Sequence, residues 1–271
     1  MHLRLNLERD RHHTVISRLM PPSSPVPEEG RPGFPATRHS VVAALGHPDP
    51  SVRRVAFDAL VSGYWRAVYL HLRWRWHRLP QDAEDLTQEF FARALEREFF
   101  QGYDPSQARF RTFLRVCLDR FAGRMHRDAQ RLKRGGGREP LTLDFAGAEE
   151  RFVEAGQVSE ATAEALFHQE WVRALFGGAV QALAAECVGT PREVRFRLFE
   201  RCDLGTLETD ARPSYRELAH AFDLPETQVT NHLAWARREF RRHVLERLQA
   251  LCGSEEEFRA EARALLGVEP A

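Results

Sequence analysis

Apolar side chains recur at intervals of three and four residues in Phe110, Phe113, Leu114, Cys117, Leu118 and Phe121, and again in Phe167, Trp171, Leu175, Phe176, Val180 and Leu183. A helix turns once in about 3.6 residues, so each set gathers on one side of a helix and demands a cover. One stretch, HLRWRWHRL at 71–79, alternates polar and apolar as a strand would. Its upstream neighbours Trp65, Val68, Tyr69 and Leu72 keep the helical interval and no partner strand is visible, so it reads as helix. Three later helices announce their starts with a hydroxyl followed three residues on by an acid: Thr190 with Glu193, Ser214 with Glu217, and Ser254 with Glu257. Pro191 suits the first position of the first of these. The expected fold is all-α, without internal repeats.

The 271 residues suffice for one large domain or two small ones, and the many short helical patterns favour two small helical domains joined by a flexible linker. PPSSPVPEEGRPGFP at 21–35 cannot build a core, so residues 1–36 are expected to form a disordered N-terminal extension. Met20 precedes it, which leaves residues 1–19 open to being a mis-assigned translational start. A first domain is expected over 37–134, with Pro48, Pro50, Pro80 and the segment 102–105 as punctuation. Gly135, Gly136 and Gly137 end it, and the acid-rich segment 139–159 has little periodicity, which gives a linker over 135–163. A second domain follows over 164–250, then an acidic helix or tail over 251–271.

Composition narrows the function classes. No apolar run approaches the roughly 18 residues that a membrane helix needs, so no membrane association is expected. The opening MHLRLNLERDRHH interleaves leucine with charge and lacks the apolar core of a secretory signal, which points to the cytoplasm. Cys117, Cys187, Cys202 and Cys252 lie far apart without metal-ligand spacing, and read as small buried apolar groups. No metal and no cofactor is expected. A magnesium nuclease would need carboxylates converging in a pocket, whereas Asp82, Glu84, Asp85 and Glu89 lie along one helix start. Walker loops, Rossmann glycines and nucleophile elbows are absent from the sequence, so no enzyme is expected. The net charge of zero argues against indiscriminate coating of nucleic acid. Lys133 is the only lysine, a bias that GC-rich codons alone produce, so the distribution of arginine says more than its abundance.

Two segments carry the functional signal. In SYRELAHAFDLPETQVTNHLAWARREFRRHVLERL, starting at Ser214, two short helical patterns flank a break at Asp223, Leu224 and Pro225. Leu218, Ala219, Phe222, Leu224, Val229 and Leu233 can pack these two helices at a steep angle, with Ala219 small at the crossing. Asp223 stands where a tight turn often uses glycine, and an aspartate tolerates the left-handed region because its side chain bonds locally. The second helix would expose Gln228, Thr230, Asn231 and His232 to base edges, followed by Arg237, Arg238, Arg241 and Arg242 for phosphates. A surface helical hairpin with a solvated basic end has the same pattern. The other segment is QDAEDLTQEFFARALEREFF, starting at Gln81, in which Asp82 can cap the helix, Leu86, Phe90, Ala94, Phe91 and Leu95 form the buried side, and Asp85, Gln88 and Glu89 stay exposed. Behind it, residues 109–138 hold ten arginines and lysines against Asp119 and Asp128 alone.

DAEDLTQEFFARALE followed by FRTFLRVCLDRFAGRMHRDAQR resembles conserved region 2 of the sigma-70 family of bacterial initiation factors, and SYRELAHAFDLPETQVTNHLAWARREF resembles region 4.2. With no region 3 domain between them, the chain is similar to extracytoplasmic-function (group 4) sigma factors over about 37–248. The resemblance implies a region 2 bundle and a region 4 helix-turn-helix domain. It implies that core RNA polymerase is the partner, its beta-prime clamp docking on Asp82, Glu84, Asp85, Gln88 and Glu89 and its beta flap on region 4. Promoter DNA is the other implied partner. Arg111, Arg115, Arg120, Arg124, Arg127 and Arg131 would open the minus-ten element and hold its non-template strand, while Gln228, Thr230, Asn231, His232, Arg237 and Arg238 would read the minus-thirty-five element. An anti-sigma partner is compatible with the family. The chain departs from the family in having Thr230, Asn231 and His232 where a basic residue is common, and Trp235 where another is frequent. Fewer phosphate contacts imply weaker, less salt-dependent binding. Two alternatives stay open: a polymerase-independent helix-turn-helix regulator, and a degenerate sigma-like protein that binds polymerase without reading promoters.

Overall fold

The structure, a computed structural model, describes residues 41–96, 99–100, 102–129, 141–156, 159–205 and 213–267. The expected extension 1–36, the triple glycine and Arg131 lie outside them. Ten α-helices and one π-helical turn make up the described fold, with no strand among the described residues: α1 (Val41–Leu45), α2 (Pro50–Arg75), α3 (Pro80–Ala94), α4 (Phe110–Ala129), α5 (Phe145–Ala155), α6 (Glu160–Cys187), α7 (Glu193–Phe199) with the π turn Glu200–Leu204, α8 (Tyr215–Phe222), α9 (Glu226–Leu251) and α10 (Glu255–Leu266). None is long and apolar enough to cross a membrane among the described residues.

The chain divides into two compact units, one holding 41–176 and 249–258, the other 177–248 and 259–267. The division falls inside α6, α9 and α10, and the expected linker 135–163 does not mark it. Its reason lies in the side chains. Phe145 at the start of α5 packs on Trp65 and Tyr69 of α2, with ring centroids 5.7 and 5.2 Å apart. Glu149 accepts from Tyr69 Oη at 2.7 Å and from both ends of the Arg73 guanidinium. In the first half of α6, Phe167 meets His71 edge-on and Trp171 stacks on Tyr64. Residues 145–156 and 159–176 therefore belong to the first unit rather than to a tether and a second domain.

In that unit α2 begins at Pro50, capped by Asp49, whose carboxylate accepts from Ser51 N–H at 2.8 Å. It continues through the ambiguous HLRWRW stretch as helix, and 67–74 are buried without a break. A helix covered on all sides loses its amphipathic period, which is why that stretch imitates a strand. His77, at φ 48°, turns the chain out of α2. Leu79 is then held extended before Pro80, so Pro80 opens α3 and Asp82, placed above as the cap, sits in the first turn instead. Ala83, Thr87, Phe90, Phe91 and Ala94 form its buried side, while Leu86 is half-buried and Leu95 is exposed.

Residues 249–258 complete this unit. Leu251 packs on Gly63, where a Cβ would come within 2.8 Å of its methyl carbons. The expected capping box at Ser254 is made in half: Ser254 Oγ accepts from Glu257 N–H at 3.1 Å. The Glu257 carboxylate, buried, accepts instead from Gly253 N–H at 2.8 Å, Tyr103 Oη at 3.0 Å and Phe110 N–H at 2.8 Å. It thus serves the first turn of α4 as a remote cap.

In the second unit Thr190 and Glu193 do not close a box around Pro191. The α7 helix starts at Glu193, whose carboxylate accepts from Gly189 N–H at 3.1 Å. Ser214 and Glu217 do form the full reciprocal cap of α8. Leu218, Val229 and Leu233 are buried, and Ala219, Phe222 and Leu224 are half-buried between α8 and the first turns of α9.

Candidate functional site

The hinge of the hairpin is Asp223, at φ 51° and ψ 50°, in the left-handed region where an aspartate is tolerated. Leu224 N–H then returns to Ala219 O at 2.9 Å, closing α8 and releasing the chain into α9 at Glu226. Two helices joined by this tight turn leave Gln228, Thr230 and Asn231 exposed on the first turns of the second. Thr230 Oγ1 donates to Glu226 O at 3.0 Å, which fixes its rotamer and leaves its methyl and a lone pair outward. His232 is half-buried, and burial, aided by the Arg195 charge, lowers its pKa and keeps the imidazole neutral at pH 7.

The two arginines expected to follow part company. Arg238 is exposed, its nearest carboxylate Glu239 at 3.6 Å. Arg237 turns inward. Its guanidinium makes a two-point bond with Asp203 of the π turn, at 2.9 and 3.0 Å, and a third with Tyr215 Oη at 3.2 Å. Burial alone would lower its pKa, but the Asp203 and Tyr215 bonds outweigh that and raise it. Arg237 therefore ties the π turn to α8 and α9, and most of its N–H donors are spent inside the protein rather than on a phosphate. Arg242 is likewise engaged, by Glu186, Glu239 and Glu246.

The first unit carries the other expected residues. On α3, Asp82, Asp85 and Glu89 lie at intervals of three and four and share a stripe, whereas Glu84 and Gln88 lie round the helix from it. Asp82 and Asp85 are exposed. Glu89 accepts from Arg93 at 2.8 Å on the surface, and Gln88 Oε1 accepts from Leu141 N–H at 3.1 Å, so Gln88 anchors the chain entering α5.

The arginines of α4 also fall into two sets. Arg111 lies over the Trp171 ring at 5.0 Å, and Arg115 binds Asp119 and Glu164, so both are pinned against the core. Arg120, Arg124 and Arg127, at intervals of four and three, form an exposed stripe on the other side. An open cavity of about 400 Å³ lies beside it, lined by Arg120, Arg124, Phe99, Phe113, Cys117 and Glu96. Burial pushes the Cys117 thiol up to about 11 against the pull of Arg120 and Arg124, so it stays a neutral wall of that cavity. The sequence places Phe113 in the apolar stripe of α4 and gives Phe99 no role, whereas Phe113 is half-buried and lines the cavity with Phe99. The signal was the Phe-Phe pair ahead of the Gly102 to Pro105 break, which marks a loop that returns aromatics to the arginine helix.

Neither a protein-family model, nor a curated protein, nor a solved structure matches the chain.

Proposed function

We propose that this protein is a transcription initiation factor of the sigma-70 type, in the two-module extracytoplasmic-function arrangement, acting in the cytoplasm without enzymatic chemistry of its own. The first unit would be the region 2 module. Its α3 stripe, Asp82, Asp85 and Glu89, would dock on the beta-prime clamp of core RNA polymerase, with Glu84 and Gln88 at the margin. Arg120, Arg124 and Arg127 would hold the phosphates of the separated minus-ten strand, and Phe99 and Phe113 at the neighbouring cavity offer faces on which an unpaired base can stack. The second unit would be the region 4 module, with Gln228, Thr230, Asn231 and Arg238 reading the minus-thirty-five element and the beta flap as its polymerase contact.

The observation that carries this reading is the coexistence, in one chain, of a helix-turn-helix with an exposed polar stripe and an arginine stripe beside an aromatic cavity. A lone helix-turn-helix regulator has no use for the second feature. The degenerate alternative draws support from Arg237, whose engagement by Asp203 leaves the reading helix short of cations. Run-off transcription with bacterial core polymerase and genomic fragments separates the three. Promoter-dependent transcripts are expected. Polymerase binding without transcripts would favour the degenerate reading, and DNA binding without polymerase the regulator.

A further inference from the structure

On α9, Gln228, Asn231, Trp235 and Arg238 follow one another at intervals of three, four and three residues and share one stripe. Its centre is the half-buried indole of Trp235, which brings no charge. Two arginines from another part of the second unit lie over that ring. The guanidinium carbon of Arg195 on α7 stands 4.6 Å from the ring centroid and that of Arg192, just before α7, stands 5.6 Å away. Both lie inside the ~6 Å within which an aromatic face holds a guanidinium. The Arg195 charge also reaches His232, one turn earlier on α9, and adds to the burial that lowers its pKa.

The carboxylates nearby are already taken: Arg242 donates to Glu186 and to Glu239, each at 2.8 Å. Among the described residues, neither Arg192 nor Arg195 has a carboxylate partner. The distinction from Arg237 is chemical. A carboxylate consumes the N–H edge of a guanidinium, whereas an aromatic ring takes its face and leaves the edge free to donate to a phosphate. The ring also fixes the side chain in advance, so less rotamer freedom is lost on binding.

We propose that Arg192 and Arg195 are DNA-backbone contacts, held beside the reading stripe of α9 by the indole of Trp235. This rests on the reading of the second unit as a DNA reader, and names two cations where the sequence placed none. The ligand group is the phosphodiester flanking the bases that Gln228 and Asn231 face.

The test uses the full chain and a fluorescently labelled duplex of random sequence, with affinity followed by anisotropy across a salt series. Each lost phosphate contact removes about 0.9 from the slope of log affinity against log salt. Arg192→Gln combined with Arg195→Gln is expected to lower that slope by about 1.8, with an unchanged thermal melting curve. Arg197→Gln, whose side chain is bonded to Glu193, serves as control and keeps the wild-type slope. Trp235→Ala, which removes no charge, is expected to lower the slope in the same direction. Trp235→Phe substitutes for it if the alanine variant melts early, because it keeps packing while weakening the attraction. A wild-type slope in the double arginine variant overturns the phosphate contacts, and a wild-type slope in both tryptophan variants overturns the role of the indole. A wild-type chain that binds no duplex overturns the DNA-reader reading itself and this proposal with it.

Discussion

Arg237 and Arg238 are neighbours of one chemical type, and their environments assign them opposite tasks. Truncating Arg237 would leave Asp203, whose side chain is 3% exposed, without its two-point partner. Arg237→Ala is expected to lower unfolding stability by about 3 kcal/mol in denaturant titration. Arg238→Ala, on a side chain 69% exposed, is expected to change stability by less than about 0.5 kcal/mol while weakening DNA binding. Equal stability losses in the two variants would contradict this division. At Asp223 the backbone rather than a contact decides. A β-branched side chain resists the left-handed region, so Asp223→Val should cost about 1 to 2 kcal/mol. Asp223→Gly should be neutral or stabilising, by up to about 1 kcal/mol, and thermal melts of the pair read the difference directly. Substituting Asn231 should shift preference at one or two base pairs by about 1 to 3 kcal/mol each, as measured by binding-site selection.

Among the elements, α4 depends on a group far away in sequence. Glu257 bonds Phe110 N–H across 147 positions, and it also holds Tyr103, whose hydroxyl pKa is raised by burial and by that carboxylate. Glu257→Ala leaves buried donors unpaired, and a loss of roughly 2 to 3 kcal/mol is expected. Hydrogen exchange at Phe110 N–H should speed up before exchange in the middle of α4. Wild-type protection there would remove Glu257 from the capping role. The pairings of α2 with α5 and α4 give the first unit an acid limit. For Glu149 and Asp119 burial alone would raise the pKa, but Arg73 and Tyr69 on the one, and His71, Trp76 and Arg115 on the other, lower both below their usual 4.5 and 3.8. A lowered folded pKa stabilises above the unfolded value and that stability is lost as pH falls through the folded one. Stability should therefore hold down to about pH 4.5 and decline below it. Glu149→Gln should flatten the decline in melting temperature on that acid side.

For the molecule as a whole, the decisive variant is Asp85→Arg. Its side chain is exposed, as the sequence predicted, so the fold should survive while binding to core polymerase is lost. Retained affinity in a folded variant would refute docking through α3.

Sequence alone determined the all-α class, breaks in the helical pattern at Pro50 and Pro80, the reciprocal cap at Ser214 and the left-handed turn at Asp223, although it put the cap of α3 at Asp82 rather than Leu79. These are local properties, set by side-chain period, proline geometry and hydrogen bonds spanning a few residues. Only the tertiary structure decided which arginines are free. Arg111, Arg115 and Arg237 are held by Trp171, Glu164 and Asp203, and Arg192 and Arg195 by Trp235, partners that lie between 34 and 60 positions away. The helical period can say that a charge is near a surface, but whether a ring, a carboxylate or water meets it depends on which other helix is packed there. For the same reason α5 and the first half of α6 read as tether and second domain: Phe145, Phe167 and Trp171 meet Tyr64, Trp65, Tyr69 and His71, an encounter between distant stretches that no local pattern records.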